Sequence, residues 1–268
     1  MIAKNIVFNS ISRFINLSSH YFFIPIYIYF LGIELYGVIG IYIVLYSVLQ
    51  FTDFGMTATI TRKMAFHIDS DEGDIQKKTI FSTFEITYLL VCITVLLFGI
   101  LSIDALSINF LNESSEASLD KEYILLLIFL TLFFQLPTNL YIGGLMGLEK
   151  QPLANVFISS SAILRGLLAI LFLYQDASLE SFFYSQIITN LVYLVALRIT
   201  LWSNFNKSKN FPKFDKKVIK ENISFTSGMA LLSLLGVLLS QGDKLIVANF
   251  LSLEQVGIYT LAYNISTL

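Results

Sequence analysis

The sequence has one cysteine, two histidines and few charged side chains, 13% of its 268 residues. A single thiol, Cys92, excludes an intrachain disulfide and any metal centre built from a cysteine cluster. Set in an apolar run, it reads as a small buried hydrophobe. His20 and His67 are too isolated to suggest a metal site. No glycine-rich nucleotide-binding loop, catalytic triad or cluster of metal ligands is visible, so neither enzyme chemistry nor a cofactor is expected. The net charge of −2 gives no reason to expect a nucleic-acid partner. The shortage of charge is the leading clue, because soluble domains carry about 25% charged residues.

Apolar residues fill the gap. They make up 56% of the chain, and the mean hydropathy is +0.73, which describes an all-α polytopic transmembrane bundle. The N-terminus has no small-residue cleavage site after its first apolar run, so that run is expected to stay as a first span. Spans of about 20 residues suit a hydrocarbon core about 30 Å thick. They fall at 9–30, 36–55, 80–103, 123–148, 153–174 and 181–202, with a seventh at 223–250 and an eighth opening at 256. The division that follows is a six-helix bundle over 1–203, a basic linker over 204–222 and the start of a second bundle over 223–268, incomplete within this chain.

The first span is unusual. Asn9, Arg13, Asn16 and His20 are spaced four, three and four apart, so they share one helix face. An Arg at mid-membrane costs roughly 2.5 to 3.5 kcal/mol on insertion scales, so this stripe is expected to face protein or water. The stretch after it returns near the chain's end: Phe30, Leu31, Glu34 and Gly37 match Phe250, Leu251, Glu254 and Gly257 at one constant offset. A membrane helix and the turn that follows it occur twice.

Basic residues set the orientation. Lys4, Arg62, Lys63, Lys77, Lys78, Lys150 and the six lysines of the 204–222 segment lie before the first span or after the second, fourth and sixth; the alternate links hold only Lys121. The positive-inside rule then places the N-terminus and the linker in the cytoplasm. The linker lysines are read mainly as a solvated topogenic loop, with anionic membrane lipids as the alternative partner.

Several separated segments resemble the O-antigen and polysaccharide flippases of the oligosaccharidyl-lipid/multidrug exporter superfamily. They are P-x-Y-x-x-x-L-G-x-E-x-Y-G (Pro25 to Gly37), D-F-G (Asp53 to Gly55) followed by Arg62 and Ala65, S-Q-G-D-K (Ser240 to Lys244) and E-Q-V-G-I-Y (Glu254 to Tyr259). The resemblance implies two six-helix bundles, related by a pseudo-two-fold axis along the membrane normal, around a cavity open alternately to each side. The internal echo fits, since six intervening spans leave the two copies equally oriented. It also implies a bacterial inner-membrane protein with lipid-linked (undecaprenyl-diphosphate) oligosaccharide as cargo, and other membrane proteins of polysaccharide assembly as possible partners.

Charged residues at membrane depth are candidate functional groups. Arg13 lies in the first span, Arg165 in the fifth on one face with Asn155, Ser159 and Ala162, and Asp243 and Lys244 in the seventh, where Ser233, Gly236, Ser240 and Asp243 recur on one side. Guanidinium forks suit a diphosphate, and Asn, Ser and Gln suit sugar hydroxyls. The expected substrate cavity therefore comprises Asn9, Arg13, Asn16, His20, Asn155, Ser159, Arg165, Ser240, Asp243 and Lys244. The competing readings are close helix packing by the serines and glycines, snorkelling of Arg13 to the interface, and pairing of Asp243 with a base on another helix. Asp53 and Arg62 are expected to fix the turn after the second span, and Glu85 to reach the interface. Cation-coupled drug export and a non-transporting glycan-assembly subunit are the alternative functions; the first calls for an anionic cavity.

Overall fold

The computed structural model describes residues 2–66, 71–110, 120–205, 214–250 and 253–266. All of their regular structure is helical. The longest helix, α1 (Ile2–Leu49), is broken at Gly32, whose φ of 77° and ψ of 167° no other residue type adopts cheaply. Asn16 and Tyr46 lie on either side of that break yet line one cavity. In a straight helix they would be about 45 Å apart, so the two arms fold back into a hairpin. The turn expected at 31–35 is thus compressed to a single glycine.

The second arm of α1 is the central rod of the fold. Every residue from Leu35 to Tyr42 is buried, as expected of a helix apolar on all sides. It runs into a short 3-10 turn (Gln50–Asp53), after which Phe54 and Gly55 take left-handed conformations. They redirect the chain into α2 (Met56–Ala65), where Asp53 caps the first turn through both carboxylate oxygens, 3.1 and 3.2 Å from the Thr57 amide. The sequence places no span here, because the charged residues Arg62 and Lys63 mask the buried set Met56, Thr59, Ile60 and Met64.

Next come α3 (Asp71–Leu101) and α4 (Ile103–Phe110). The span expected at 123–148 is two helices, α5 (Lys121–Gln135) and α6 (Thr138–Gly147), interrupted at Pro137 where the ring removes a backbone donor. Gly143 and Gly147 let α6 lie directly on α2: a Cβ on Gly147 would sit 2.5 Å from the Thr61 carbonyl oxygen. This is the small-xxx-small approach of membrane helices. Then follow α7 (Gln151–Gln175), α8 (Leu179–Ser203), α9 (Lys216–Phe250) and α10 (Leu253–Ser266).

Two apolar cores share the bundle. One joins both arms of α1 to α5, α7 and the start of α8; the other joins α2, α3, α6 and the end of α8. Five helical stretches among the described residues are long and apolar enough to cross a bilayer, and the first of them, Asn9–Asp53, contains the hairpin. Leu164, Leu167 and Leu171 on α7, and Leu191, Val192, Val195 and Ile199 on α8, form exposed apolar stripes. Exposed apolar stripes of this kind suit contact with lipid or with another apolar segment.

Candidate cavity in the first bundle

A cavity of about 240 Å³ lies between the two arms of α1 and helices α5, α7 and α8. Three local features shape it. The Gly32 hairpin brings Asn16, Tyr27, Tyr42 and Tyr46 to one side. The break before Pro137 ends α5 at Gln135, whose side-chain oxygen accepts from the Tyr42 hydroxyl. Gly166 on α7 lets the ring of Phe23 approach so closely that a Cβ there would lie 2.1 Å from it.

Among the described residues, Arg165 is the one charged residue in the wall. Its Nη2 donates to Asn190 Oδ1 at 2.9 Å, and Asn190 Nδ2 in turn donates to the Thr131 carbonyl at 3.4 Å, which fixes the amide's orientation. Arg165 Nε is buried, and among the described residues it has no hydrogen-bond partner and no carboxylate pairs with the guanidinium. A partly buried cation left without a counter-ion carries a desolvation cost, and an incoming anion offsets it. Around it the wall is aromatic: Phe23 and Tyr27 stack at 6.2 Å, and Tyr27 meets Phe182 edge-on at 5.3 Å. Asn16, Gln135 and Gln186 add amides. One delocalised cation among aromatic faces and amides suits an anionic group attached to a sugar.

The expected site residues separate into three groups. Asn16 and Arg165 line the cavity. Asn9, Asn155 and Ser159 form a hydrogen-bonded seam between α1 and α7, in which Asn155 Nδ2 donates to Asn9 Oδ1, Ser159 Oγ donates to Ser12 Oγ at 2.9 Å and Ser12 Oγ donates to the Asn155 carbonyl at 3.3 Å. The side chains of Arg13, His20, Ser240, Asp243 and Lys244 lie outside the described residues. The cavity also uses Tyr27, Tyr42, Gln135 and Gln186, with Asn190 behind Arg165, none of which lies on the polar stripes of the sequence. Among them Gln135 has a sequence signal, a polar side chain two residues before the helix-interrupting Pro137.

A second cavity, about 640 Å³ and more polar, lies between the end of α1, α2, α6 and α9, where Asp53, Thr57, Thr61, Asn139 and Ser233 face it. Tyr46 lines the first cavity and Ser47 the second, so the two flank one turn of α1.

Glu85, expected near the interface, is 5% exposed and held within the bundle: its Oε1 accepts from Arg198 Nε at 2.8 Å, Tyr141 Oη at 2.7 Å and Trp202 Nε1 at 3.3 Å.

This architecture, a hairpin-centred bundle of long apolar helices with a cavity between them, is that of a polytopic membrane protein. A solved MOP superfamily transporter from Pyrococcus furiosus, noted for the reverse polarity of its binding pocket, superposes with a TM-score of 0.68 at 17% identity, over 99% of this chain and 60% of that one. The chain therefore spans about three-fifths of that transporter's length. A model of the polysaccharide biosynthesis protein family matches residues 2–268, and the chain belongs to that family. No curated protein matches it in sequence.

Proposed function

We propose that this protein moves lipid-linked oligosaccharide, carried on undecaprenyl diphosphate, across the bacterial inner membrane for O-antigen or another surface polysaccharide. The supporting observation is Arg165, a guanidinium without a carboxylate partner among the described residues, in a cavity walled by aromatic rings and amides. In this reading Arg165 takes a phosphate oxygen through its free N–H groups while Asn190 holds the fork in place. Tyr27 and Phe182 present flat faces to the first sugar, and Asn16, Gln135 and Gln186 meet its hydroxyls. A cavity of 240 Å³ holds the head of the cargo, and the 640 Å³ cavity on the far side of the same α1 turn receives further sugars. Rocking of two bundles exposes the site to each side in turn, with the N-terminus cytoplasmic.

Arg165→Gln in a flippase-null host tests this, with surface polysaccharide as readout. Loss of a charge-assisted hydrogen bond is worth about 1.5 to 3 kcal/mol, so output falls by roughly 10- to 100-fold. Undiminished output removes Arg165 from cargo binding. Cation-coupled drug export calls for an anionic site, and no Asp or Glu lines the Arg165 cavity among the described residues. A non-transporting subunit would leave the flippase-null host without surface glycan whatever stands at position 165.

A further inference from the structure

The Glu85–Arg198 pair lies outside both cavities and has an uneven geometry. Glu85 is buried, yet the Arg198 side chain is 58% exposed, and the bond between them uses Nε alone. A guanidinium has five N–H donors, so the four on the terminal nitrogens are not spent on this bond.

The surroundings show where that exposed fork points. Val195 and Ile199, on either side of Arg198 along α8, belong to the exposed apolar stripe. Arg198 thus shares the bundle's exposed apolar surface. Its depth follows from the aromatic residues of the same helix: Tyr184 near one end and Trp202 near the other are about 27 Å apart along the axis, close to a hydrocarbon thickness. Tyr184 bonds Tyr123 through their hydroxyls at 2.5 Å in an exposed position, as in an interfacial aromatic belt. Arg198, one turn inside Trp202, is about 6 Å below the opposite belt. An arginine at that depth reaches the headgroup layer by snorkelling.

We infer that Arg198, held by Glu85 and flanked by Trp202, is a surface site for the phosphate of an anionic membrane phospholipid. Glu85 cancels much of the guanidinium's charge but fixes its direction, leaving the terminal N–H groups for a phosphate diester at the edge of the core. The site is independent of the cargo cavity, and its ligand is an ordinary glycerophospholipid of the surrounding bilayer.

The chain's single tryptophan, Trp202, is a built-in probe. The protein is reconstituted in bilayers in which acyl-brominated phosphatidylglycerol or phosphatidylcholine is present at the same mole fraction, and quenching of Trp202 gives their relative occupancy. The expected result is a several-fold preference for phosphatidylglycerol. Arg198→Gln brings the ratio to one, Arg198→Lys keeps part of it, and Glu85→Gln, which frees the guanidinium from its counter-ion, raises it. Emission in unbrominated lipid together with far-UV circular dichroism identifies any variant that has not folded, and Glu85→Gln gives a result in the opposite direction to a folding loss. A ratio of one in the unaltered protein overturns the inference, as does a ratio unchanged by Arg198→Gln. Collapse of the preference on adding inorganic phosphate at constant ionic strength assigns the site to free phosphate instead and also overturns it.

Discussion

Gly257 packs against Gly37, its counterpart in the internal echo: a Cβ on Gly257 would lie 3.4 Å from the Gly37 nitrogen and 2.7 Å from the Ile33 oxygen. One turn on, Thr260 meets Gly40, which the same offset pairs with it, at 2.7 Å from a built Cβ. Equivalent residues in contact mark a two-fold axis. Two such pairs at i and i+3 require parallel helices, because an axis across the helices would match i+3 with i−3. The second arm of α1 and α10 therefore run side by side about an axis close to their own direction.

This contact makes two substitutions separable. Gly40→Ala meets a hydroxyl that Thr260→Ala removes, so the double variant recovers most of the stability lost by the single one. Gly257→Val meets a backbone carbonyl, which cannot withdraw, and Thr260→Ala gives no rescue. Overpacking of this kind costs about 1 to 3 kcal/mol. Denaturation midpoints in detergent of the unaltered protein, the three single variants and the two double variants check the pattern; rescue of Gly257→Val by Thr260→Ala contradicts the assigned contact.

The seam of Asn9, Ser12, Asn155 and Ser159 joins two helices and is not cavity lining, so its variants affect stability and leave glycan output alone. Interhelical hydrogen bonds in membranes average about 0.6 kcal/mol. Ser159→Ala loses the 2.9 Å bond, and Ser12→Ala loses that bond together with its 3.3 Å bond to the Asn155 carbonyl, so the double variant costs little more than Ser12→Ala alone. A strictly additive pair, or a drop in surface polysaccharide with unchanged protein level, tells against a purely structural seam.

Much of the fold is written in periodicity, and much of the site is not. The apolar runs marked the spans because a hydrocarbon core demands length and little else. Where polar residues carry tertiary contacts, as in α2, the same pattern concealed a helix. The polar stripe on the first span indicates only a shared helix face. It does not distinguish Asn9, which bonds another helix, from Asn16, which faces open space. Tyr27 and Tyr42 were illegible for the opposite reason, since tyrosines in an apolar run look like core until the hairpin at Gly32 brings both arms to one cavity.

Gly166 controls how α7 meets the first arm of α1. Any side chain there strikes the Phe23 ring, and Phe23 is itself part of the cavity wall. Gly166→Ala therefore pushes the ring toward Tyr27 and reduces both stability and glycan output. Phe23→Ala removes the obstacle, and the double variant is more stable than the sum of the single effects by at least about 1 kcal/mol, within the usual coupling range for residues in contact. A double-mutant cycle on thermal unfolding measures this directly, and zero coupling is the contrary result.

Glu85 gathers three donors on one carboxylate oxygen, and its neighbours differ in how well they tolerate its loss. Arg198, 58% exposed, finds solvent or headgroup partners again, so its share is that of a surface pair, about 0 to 1 kcal/mol. Tyr141 is 1% exposed, and a buried hydroxyl without an acceptor costs about 1 to 3 kcal/mol. Glu85→Ala is therefore expected to destabilise by about 2 to 4 kcal/mol once the vacated volume is included. Glu85→Gln, which still offers an oxygen to Tyr141, costs less. The discriminating variant is Tyr141→Phe: on the Glu85→Ala background it removes the orphaned hydroxyl and restores part of the loss, whereas on the unaltered background it destabilises. Denaturant unfolding followed by Trp202 emission separates these cases. If Tyr141→Phe is equally harmful on both backgrounds, Glu85 is not the acceptor on which the hydroxyl depends.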